Sequence, residues 1–118
     1  MNDSRVTLCN AGDIADGESL GFDPFGEGRD SLFAVRCGSA LRVFRNRCPH
    51  QGASLPWRKD AYLNGDRTRI VCHAHGAQFD IDTGKCLLGP ALGQSLERVD
   101  VEIGTDGELT VYVVEIDP

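Results

Sequence analysis

The sequence predicts a domain built almost entirely of short antiparallel β-strands. Its alternating or continuous apolar stretches are only three to six residues long, and turn-forming residues separate most of them. Helical periodicity, with apolar residues three and four positions apart over ten or more residues, is almost absent. The fold class expected from the chain is therefore all-β.

Seven segments have the pattern of strands. Turn signals such as Gly38-Ser39, Asn64-Gly65 and Asp106-Gly107 lie between them, and these residues favour the backbone angles of tight turns. The Gly- and acid-rich segment from Asp16 to Asp30 lacks the pattern and is expected to be a surface loop. The predicted strands are Val6–Cys9, Leu32–Arg36, Leu41–Phe44, Ile70–Cys72, Gln78–Ile81, Val99–Ile103 and Leu109–Val114.

Length and composition predict one cytoplasmic domain over residues 1–118. A chain of 118 residues has room for a single hydrophobic core. No N-terminal stretch combines a basic start with an apolar run, and no apolar run is long enough to cross a membrane. Five cysteines without an export signal indicate reduced thiols rather than a disulfide framework. A net charge of −6 makes nucleic acid an unexpected partner.

The four residues at the ends of two short runs are of types that bind metals. Cys48-Pro49-His50 has the spacing C-x-H, and Cys72-His73-Ala74-His75 has the spacing C-x-x-H. Structural zinc sites also use Cys and His, but they usually contain C-x-x-C or H-x₃₋₅-H pairs. A one-residue spacing instead suits two loops that each give one ligand to each of two irons. An iron–sulfur cluster is favoured, and a structural zinc domain remains the alternative.

The flanking residues extend this pattern and carry a family resemblance. The first loop reads Asn46-Arg47-Cys48-Pro49-His50-Gln51-Gly52. The second reads Cys72-His73-Ala74-His75-Gly76-Ala77-Gln78-Phe79-Asp80, with Gly84 and Gly89-Pro90 downstream. From about Leu32 to the C-terminus, the chain resembles a small, soluble Rieske-type ferredoxin of the low-potential subclass.

The resemblance implies a cofactor, a ligand set and an architecture. One [2Fe–2S] cluster would be held by Cys48 and Cys72 on one iron and by His50 and His75 on the other. Around it, the backbone and loops would close over the sulfides at Gly52, Gly76, Gly89 and Pro90. A cluster-binding subdomain at about residues 45–90 would be inserted into antiparallel base sheets made from residues 1–44 and 91–118.

The residue inventory indicates an electron carrier rather than a complete enzyme. A mononuclear iron site needs two histidines and a carboxylate, and three histidines in total cannot supply it beside the cluster. A G-x-G-x-x-G nucleotide-binding loop is also missing. The resemblance implies a flavin- and NAD(P)H-dependent reductase as donor. The acceptor would be a terminal oxygenase, or the chain would serve an assimilatory reductase. A redox-sensing regulatory module is the alternative function.

Three features near the ligands have more than one interpretation. His73 is expected to be a loop residue, with a third metal ligand or a proton-coupling group as alternatives. Cys86 is interpreted either as a small buried hydrophobic residue or, since it lies between the second loop and Gly89-Pro90, as a contact near the cluster. The long segment between the two loops contains Trp57 and Tyr62. It is expected to pack onto the cluster subdomain, and a partner-specific docking element is the alternative.

The residues around the ligands also predict a low reduction potential. High-potential Rieske proteins have a disulfide between their ligand loops and hydroxyl groups that donate hydrogen bonds to the cluster sulfurs. The matching positions here are Ala53, Ala74, Ala77 and Phe79, none of which can do either. Hydrogen bonds to sulfur favour the reduced cluster, so their absence lowers the potential.

Charge is distributed unevenly along the chain. Residues 45–90 contain seven basic and four acidic residues, whereas the rest contains five basic and fourteen acidic residues. Ordinary solvated loops could produce this asymmetry. A basic face around the cluster that docks an acidic partner is the second interpretation.

Overall fold

The computed structural model describes residues 5–50 and 52–112 and places them in three antiparallel sheets. The all-β prediction is confirmed. The single 3₁₀ turn in these residues spans Ala11–Asp13, and no helix in them is long and apolar enough to cross a membrane. The strands are β1 (Arg5–Asn10), β2 (Ser19–Phe22), β3 (Leu32–Cys37), β4 (Ala40–Arg45), β5 (Arg69–Val71), β6 (Gln78–Asp80), β7 (Cys86–Leu88), β8 (Arg98–Val99), β9 (Val101–Ile103) and β10 (Glu108–Tyr112).

Two of the three sheets pair strands that are distant in the sequence. One sheet has the order β1-β10-β9 and joins the two ends of the described chain. A second sheet has the order β2-β3-β4-β8. The third, β5-β6-β7, is formed from residues 69–88 alone. The two metal-binding motifs follow β4 and β5, so each leaves the end of a sheet strand.

The β2-β3-β4-β8 sheet is the middle layer, since both of its faces are buried. Successive strand residues point to opposite faces. Leu32 and Ala34 of β3 pack in a core shared with the β1-β10-β9 sheet, whereas Phe33 and Val35 pack in a second core. This second core lies against the β5-β6-β7 sheet and includes Cys48 and Cys72. Burial on both sides explains why β3 is a continuous apolar run rather than an alternating one.

The expectation of a surface loop from Asp16 to Asp30 is wrong in its middle. Ser19–Phe22 forms β2 and pairs with β3 along its whole length. Gly21 suggested a loop, but it is buried, and a Cβ atom there would lie 2.7 Å from the hydroxyl oxygen of Tyr62. The glycine is present because two segments approach closely, which a local pattern does not reveal.

The predicted strand Val99–Ile103 is in fact divided between two sheets. Val99 pairs with Val43 in the middle sheet, and Val101 pairs with Val111 in the β1-β10-β9 sheet. The chain therefore crosses from one layer to the other at Asp100. Strand β10 agrees with the predicted strand as far as Tyr112, and the remainder of that prediction lies outside the described residues.

Candidate iron–sulfur site

The two ligand loops share one backbone design. In the first, the Gly52 N–H donates to the Cys48 carbonyl (2.7 Å), and the Cys48 N–H donates to the Ala53 carbonyl (2.8 Å). In the second, the Gly76 N–H donates to the Cys72 carbonyl (2.8 Å), and the Cys72 N–H donates to the carbonyl of Ala77 (2.9 Å). Each loop thus starts at a cysteine and closes on itself four to five residues later.

The glycine in each loop has a backbone angle that a side chain disfavours. Gly52 has φ +75° and Gly76 has φ +78°, in the left-handed region. This angle turns the chain back toward the cysteine. Both glycines are therefore required by the local geometry of their loops, whether or not they contact a cofactor.

The thiols and the imidazoles lie at different depths. Cys48 and Cys72 are buried, His50 is half-buried and His75 is exposed. The rings of His50 and His75 are neighbours, with centroids 5.0 Å apart and planes at 89°. The two thiols are thus placed toward the core, while the two imidazoles lie together toward the solvent.

A buried histidine nitrogen without a hydrogen-bond partner makes the pair of imidazoles suitable for binding a metal. Nδ1 of His50 is buried and has no hydrogen-bond partner among the described residues. A buried polar atom normally has a partner, so this nitrogen needs a ligand or a proton acceptor. The imidazole nitrogen is a common ligand for iron. Nδ1 is therefore the atom through which His50 would bind the cluster.

The Gly89-Pro90 turn is packed against the second ligand loop. A Cβ atom on Gly89 would lie 2.9 Å from Cα and 3.4 Å from N of Ala77, and φ is +103°. Ala77 is fully buried and accepts the hydrogen bond from the Cys72 N–H. Gly89 therefore allows a backbone approach that fixes the position of the second loop. Pro90 is exposed at the end of this turn.

A buried asparagine, which sequence reasoning missed as a functional position, joins the loops to the base. Asn46 is the buried polar side chain among the described residues. Its Nδ2 donates to the Asp30 carbonyl (2.8 Å) and to Ser54 Oγ (2.9 Å), and its Oδ1 accepts from the Leu55 N–H (2.8 Å). The Leu55 carbonyl then accepts from the His73 N–H (2.8 Å). A polar residue directly after an apolar strand was the available signal.

The contacts of His73 and Cys86 are with residues other than the proposed ligand imidazoles His50 and His75. His73 stacks on Trp57, with ring centroids 5.7 Å apart and planes at 23°. Cys86 is buried in the same core as Cys72, Ala77 and Phe79, and its thiol donates to the Leu88 carbonyl (3.4 Å). Ala77 and Phe79 are both fully buried and present no hydroxyl.

The segment between the loops is anchored to the middle sheet. Tyr62 is fully buried and stacks on Phe33, with centroids 4.1 Å apart. Lys59 Nζ contacts Asp30 Oδ2 at 2.7 Å, and Asp60 Oδ1 accepts the Gly21 N–H at 2.7 Å. The hydrogen bond and the charge of Asp30 raise the pKa of Lys59, against a smaller opposing effect of burial. The segment between the two loops is therefore packed onto the rest of the protein. Its contacts include Phe33 and Gly21 of the middle sheet, Asp30, and His73 of the second loop.

In the described parts of the chain, no three His, Cys, Asp or Glu side chains converge where one metal ion could be held. A [2Fe–2S] cluster has a different requirement, because each of its irons takes only two protein ligands. The two buried cysteines and the two neighbouring histidines fit that requirement.

Comparison with known proteins agrees with the fold and the motifs. The family model of the Rieske [2Fe–2S] domain matches residues 4–112. The 3-phenylpropionate/cinnamic acid dioxygenase ferredoxin subunit of Escherichia coli K12 is 34% identical over 88 residues, which cover 75% of this chain and 76% of that protein.

Solved structures give the same result. The ferredoxin of carbazole 1,9a-dioxygenase from Nocardioides aromaticivorans IC177 superimposes with a TM-score of 0.70 at 25% identity, over 92% of this chain and 96% of that one. A chain in a complex of reduced oxygenase and oxidised ferredoxin of carbazole 1,9a-dioxygenase has a TM-score of 0.71 at 27% identity, with 94% of each chain covered.

These findings define an iron–sulfur electron-transfer protein. The chain belongs to the Rieske [2Fe–2S] domain family. It carries one [2Fe–2S] cluster and transfers single electrons as a component of a larger oxidoreductase system.

Proposed function

We propose that this chain is the ferredoxin of an oxygenase system, and that it carries electrons from a flavin- and NAD(P)H-dependent reductase to a terminal oxygenase. The named relatives support this setting, since they are ferredoxins of dioxygenases and one is solved together with its oxygenase. A cytoplasmic location fits such a system and the lack of a long apolar run in the sequence.

The proposed ligands are Cys48 and Cys72 on one iron and His50 and His75 on the other. The observation that carries this assignment is the contrast between two buried thiols and two neighbouring imidazoles near the surface. The cluster, when bound, accepts and releases one electron. Residues 45–90 would form the cluster-binding subdomain, with residues 1–44 and 91–118 as its base.

The protein's own residues control how this electron is exchanged. Buried cysteines are shielded from solvent, so oxidation of the thiolates is disfavoured. The exposed His75 and half-buried His50 bring the redox centre within reach of another protein's surface. Gly52 and Gly76 would turn the two ligand loops back on themselves, and Gly89 with Pro90 would hold a third loop against Ala77 of the second ligand loop.

Cluster content and electron stoichiometry test this function. Aerobically purified protein is expected to be red-brown and to contain about two irons and two sulfides per chain. On reduction it should accept one electron and give a Rieske-type electron paramagnetic signal. Protein from iron-replete cells that contains stoichiometric zinc and no iron would contradict the proposal. A cluster that changes the binding of a regulatory target, but is not reoxidised by any oxygenase, would favour the redox-sensing alternative.

A further inference from the structure

An exposed aromatic side chain lies beside the second ligand loop. Trp57 is 58% exposed, although exposure of an indole ring to water is unfavourable. One neighbour of its ring is His73, at 5.7 Å between centroids. Another is Arg58, whose guanidinium carbon lies 4.7 Å from the ring centroid. His73 directly follows the proposed ligand Cys72 and precedes His75 by two residues.

The residues on either side of Trp57 are bonded to the rest of the protein. The Leu55 carbonyl accepts the His73 N–H at 2.8 Å, which joins the segment to the ligand loop. On the other side, Lys59 and Asp60 bind Asp30 and Gly21 of the base. Core packing is supplied by Tyr62, which is fully buried, so Trp57 is not needed to fill the interior. A rigid, exposed aromatic residue is the type of side chain that dominates protein interfaces.

The cleft next to Trp57 contains two guanidinium groups that are not paired with a carboxylate of a described residue. It has a volume of about 720 Å³, and Trp57, Arg58, Arg67 and His73 contribute to its wall. Neither guanidinium makes an ion pair or a side-chain hydrogen bond with another described residue. The two carboxylates of the cleft, Glu18 and Asp60, contact other residues instead.

Glu18 accepts the Ala15 N–H at 3.1 Å. Asp60 accepts the Gly21 N–H and lies 3.4 Å from Lys59 Nζ. Arg58 is therefore a cation without a carboxylate partner among the described residues. It lies in the segment of residues 45–90, which has seven basic and four acidic residues in a protein whose net charge is −6. An acidic partner would be repelled by most of the surface and attracted here, which orients it toward the nearby imidazoles.

We propose that Trp57 and Arg58 form the recognition element for an acidic redox protein. Such a partner packs an apolar group on the exposed indole and places a carboxylate against the Arg58 guanidinium, beside His73, which is two residues from His75 in the chain. This inference rests on the proposed carrier function, and it assigns partner selectivity to a segment that supplies no cluster ligand.

The test measures electron transfer from an acidic protein donor to the oxidised holoprotein. Reduced flavodoxin, an acidic one-electron carrier, is the probe, and the second-order rate constant is measured by stopped flow at low and high ionic strength. Trp57→Ala and Arg58→Gln are compared with Ile103→Ala and Arg5→Gln. The two control residues lie on the β1-β10-β9 sheet, where Ile103 is 51% exposed. Dithionite reduction of every variant measures cluster integrity without protein docking.

The expected result is selective loss of the protein reaction. Trp57→Ala should reduce the flavodoxin rate constant roughly tenfold, since a central tryptophan is a frequent hot spot. Arg58→Gln should reduce it about threefold at low ionic strength and weaken its salt dependence. Trp57→Phe should recover part of the rate. Both controls and all dithionite rates should match wild type.

Equal flavodoxin rates in all variants, or no flavodoxin reaction in a wild-type protein that dithionite reduces, would overturn the docking proposal. Failure of the wild type to react even with dithionite would instead contradict the carrier function. If Trp57→Ala loses its cluster, Arg58→Gln carries the test. Trp57 is the single tryptophan of the chain, so 5-fluorotryptophan labelling gives one ¹⁹F signal. It should shift on addition of oxidised flavodoxin, and an unchanged signal would also refute the contact.

Discussion

Replacing Gly89 by alanine should destabilise the second ligand loop more than an equivalent change nearby. The added Cβ would lie 2.9 Å from Cα of the buried Ala77, and φ at this position is +103°. An unfavourable backbone angle costs about 1–3 kcal/mol. Displacing packed backbone adds a further 1–3 kcal/mol or so. Because Ala77 accepts the Cys72 N–H, this displacement acts directly on a proposed cluster ligand.

Gly93 provides a matched control in the same turn region. Its φ is +89°, but a Cβ there would meet nothing within 4 Å. Gly93→Ala should therefore show only the backbone effect, and Gly89→Ala should be less stable by about 2 kcal/mol, or roughly 8 °C in melting temperature. Circular dichroism measures unfolding, and visible absorbance measures the rate of cluster loss on heating. Equal melting temperatures and equal rates of cluster loss would show that the contact with Ala77 does not hold the loop.

Three further predictions concern the ligands, the potential and the core. His75→Ala should remove most of the iron and bleach the visible spectrum, whereas His73→Ala should leave both nearly intact; the reverse result would mean that the wrong imidazole is assigned. With Ala77 and Phe79 in place of hydroxyl donors, the midpoint potential should be around −150 mV and almost independent of pH near neutrality. Voltammetry measures the midpoint potential, and a value above zero at pH 7 would contradict the prediction. The double change Ala77→Ser with Phe79→Tyr should raise the potential. Tyr62→Phe should increase the free energy of unfolding by about 1 kcal/mol, because the buried hydroxyl of Tyr62 has no hydrogen-bond partner among the described residues. Burial, followed by the charges of two nearby carboxylates, raises the pKa of Tyr62 above its usual range. Its folded state therefore favours the protonated form, and stability should fall as the pH rises above about 10. Denaturant titrations at pH 8 and 11 should show a smaller alkaline loss for Tyr62→Phe, and an equal loss would indicate that Tyr62 is not responsible.

The all-β class could be predicted from the sequence because strand and turn signals are local. Alternation over four or five residues and pairs such as Asp106-Gly107 depend on neighbouring residues alone. The four proposed ligands could be predicted for the same reason, since each pair lies within one short loop. Their number and chemical type follow from those loops without knowledge of the sheets.

Other features depend on contacts between distant residues and were decided only by the tertiary structure. The strand around Gly21 was hidden because the reason for its glycine is the approach of Tyr62, 41 positions later in the chain. The division of Val99–Ile103 between two sheets depends on which partners β4 and β10 offer. Neither partner is visible in the segment itself.

The contacts around the candidate site also could not be predicted from the local sequence. The sequence by itself determined the class of protein and a candidate set of ligands, because spacing within a loop is a local property. Only the folded chain decided that His50 lies beside His75, that His73 stacks on Trp57, and that Asn46 joins the loops to the base. Each of these contacts joins residues from separate segments, so it is selected by packing of the whole domain rather than by the local pattern.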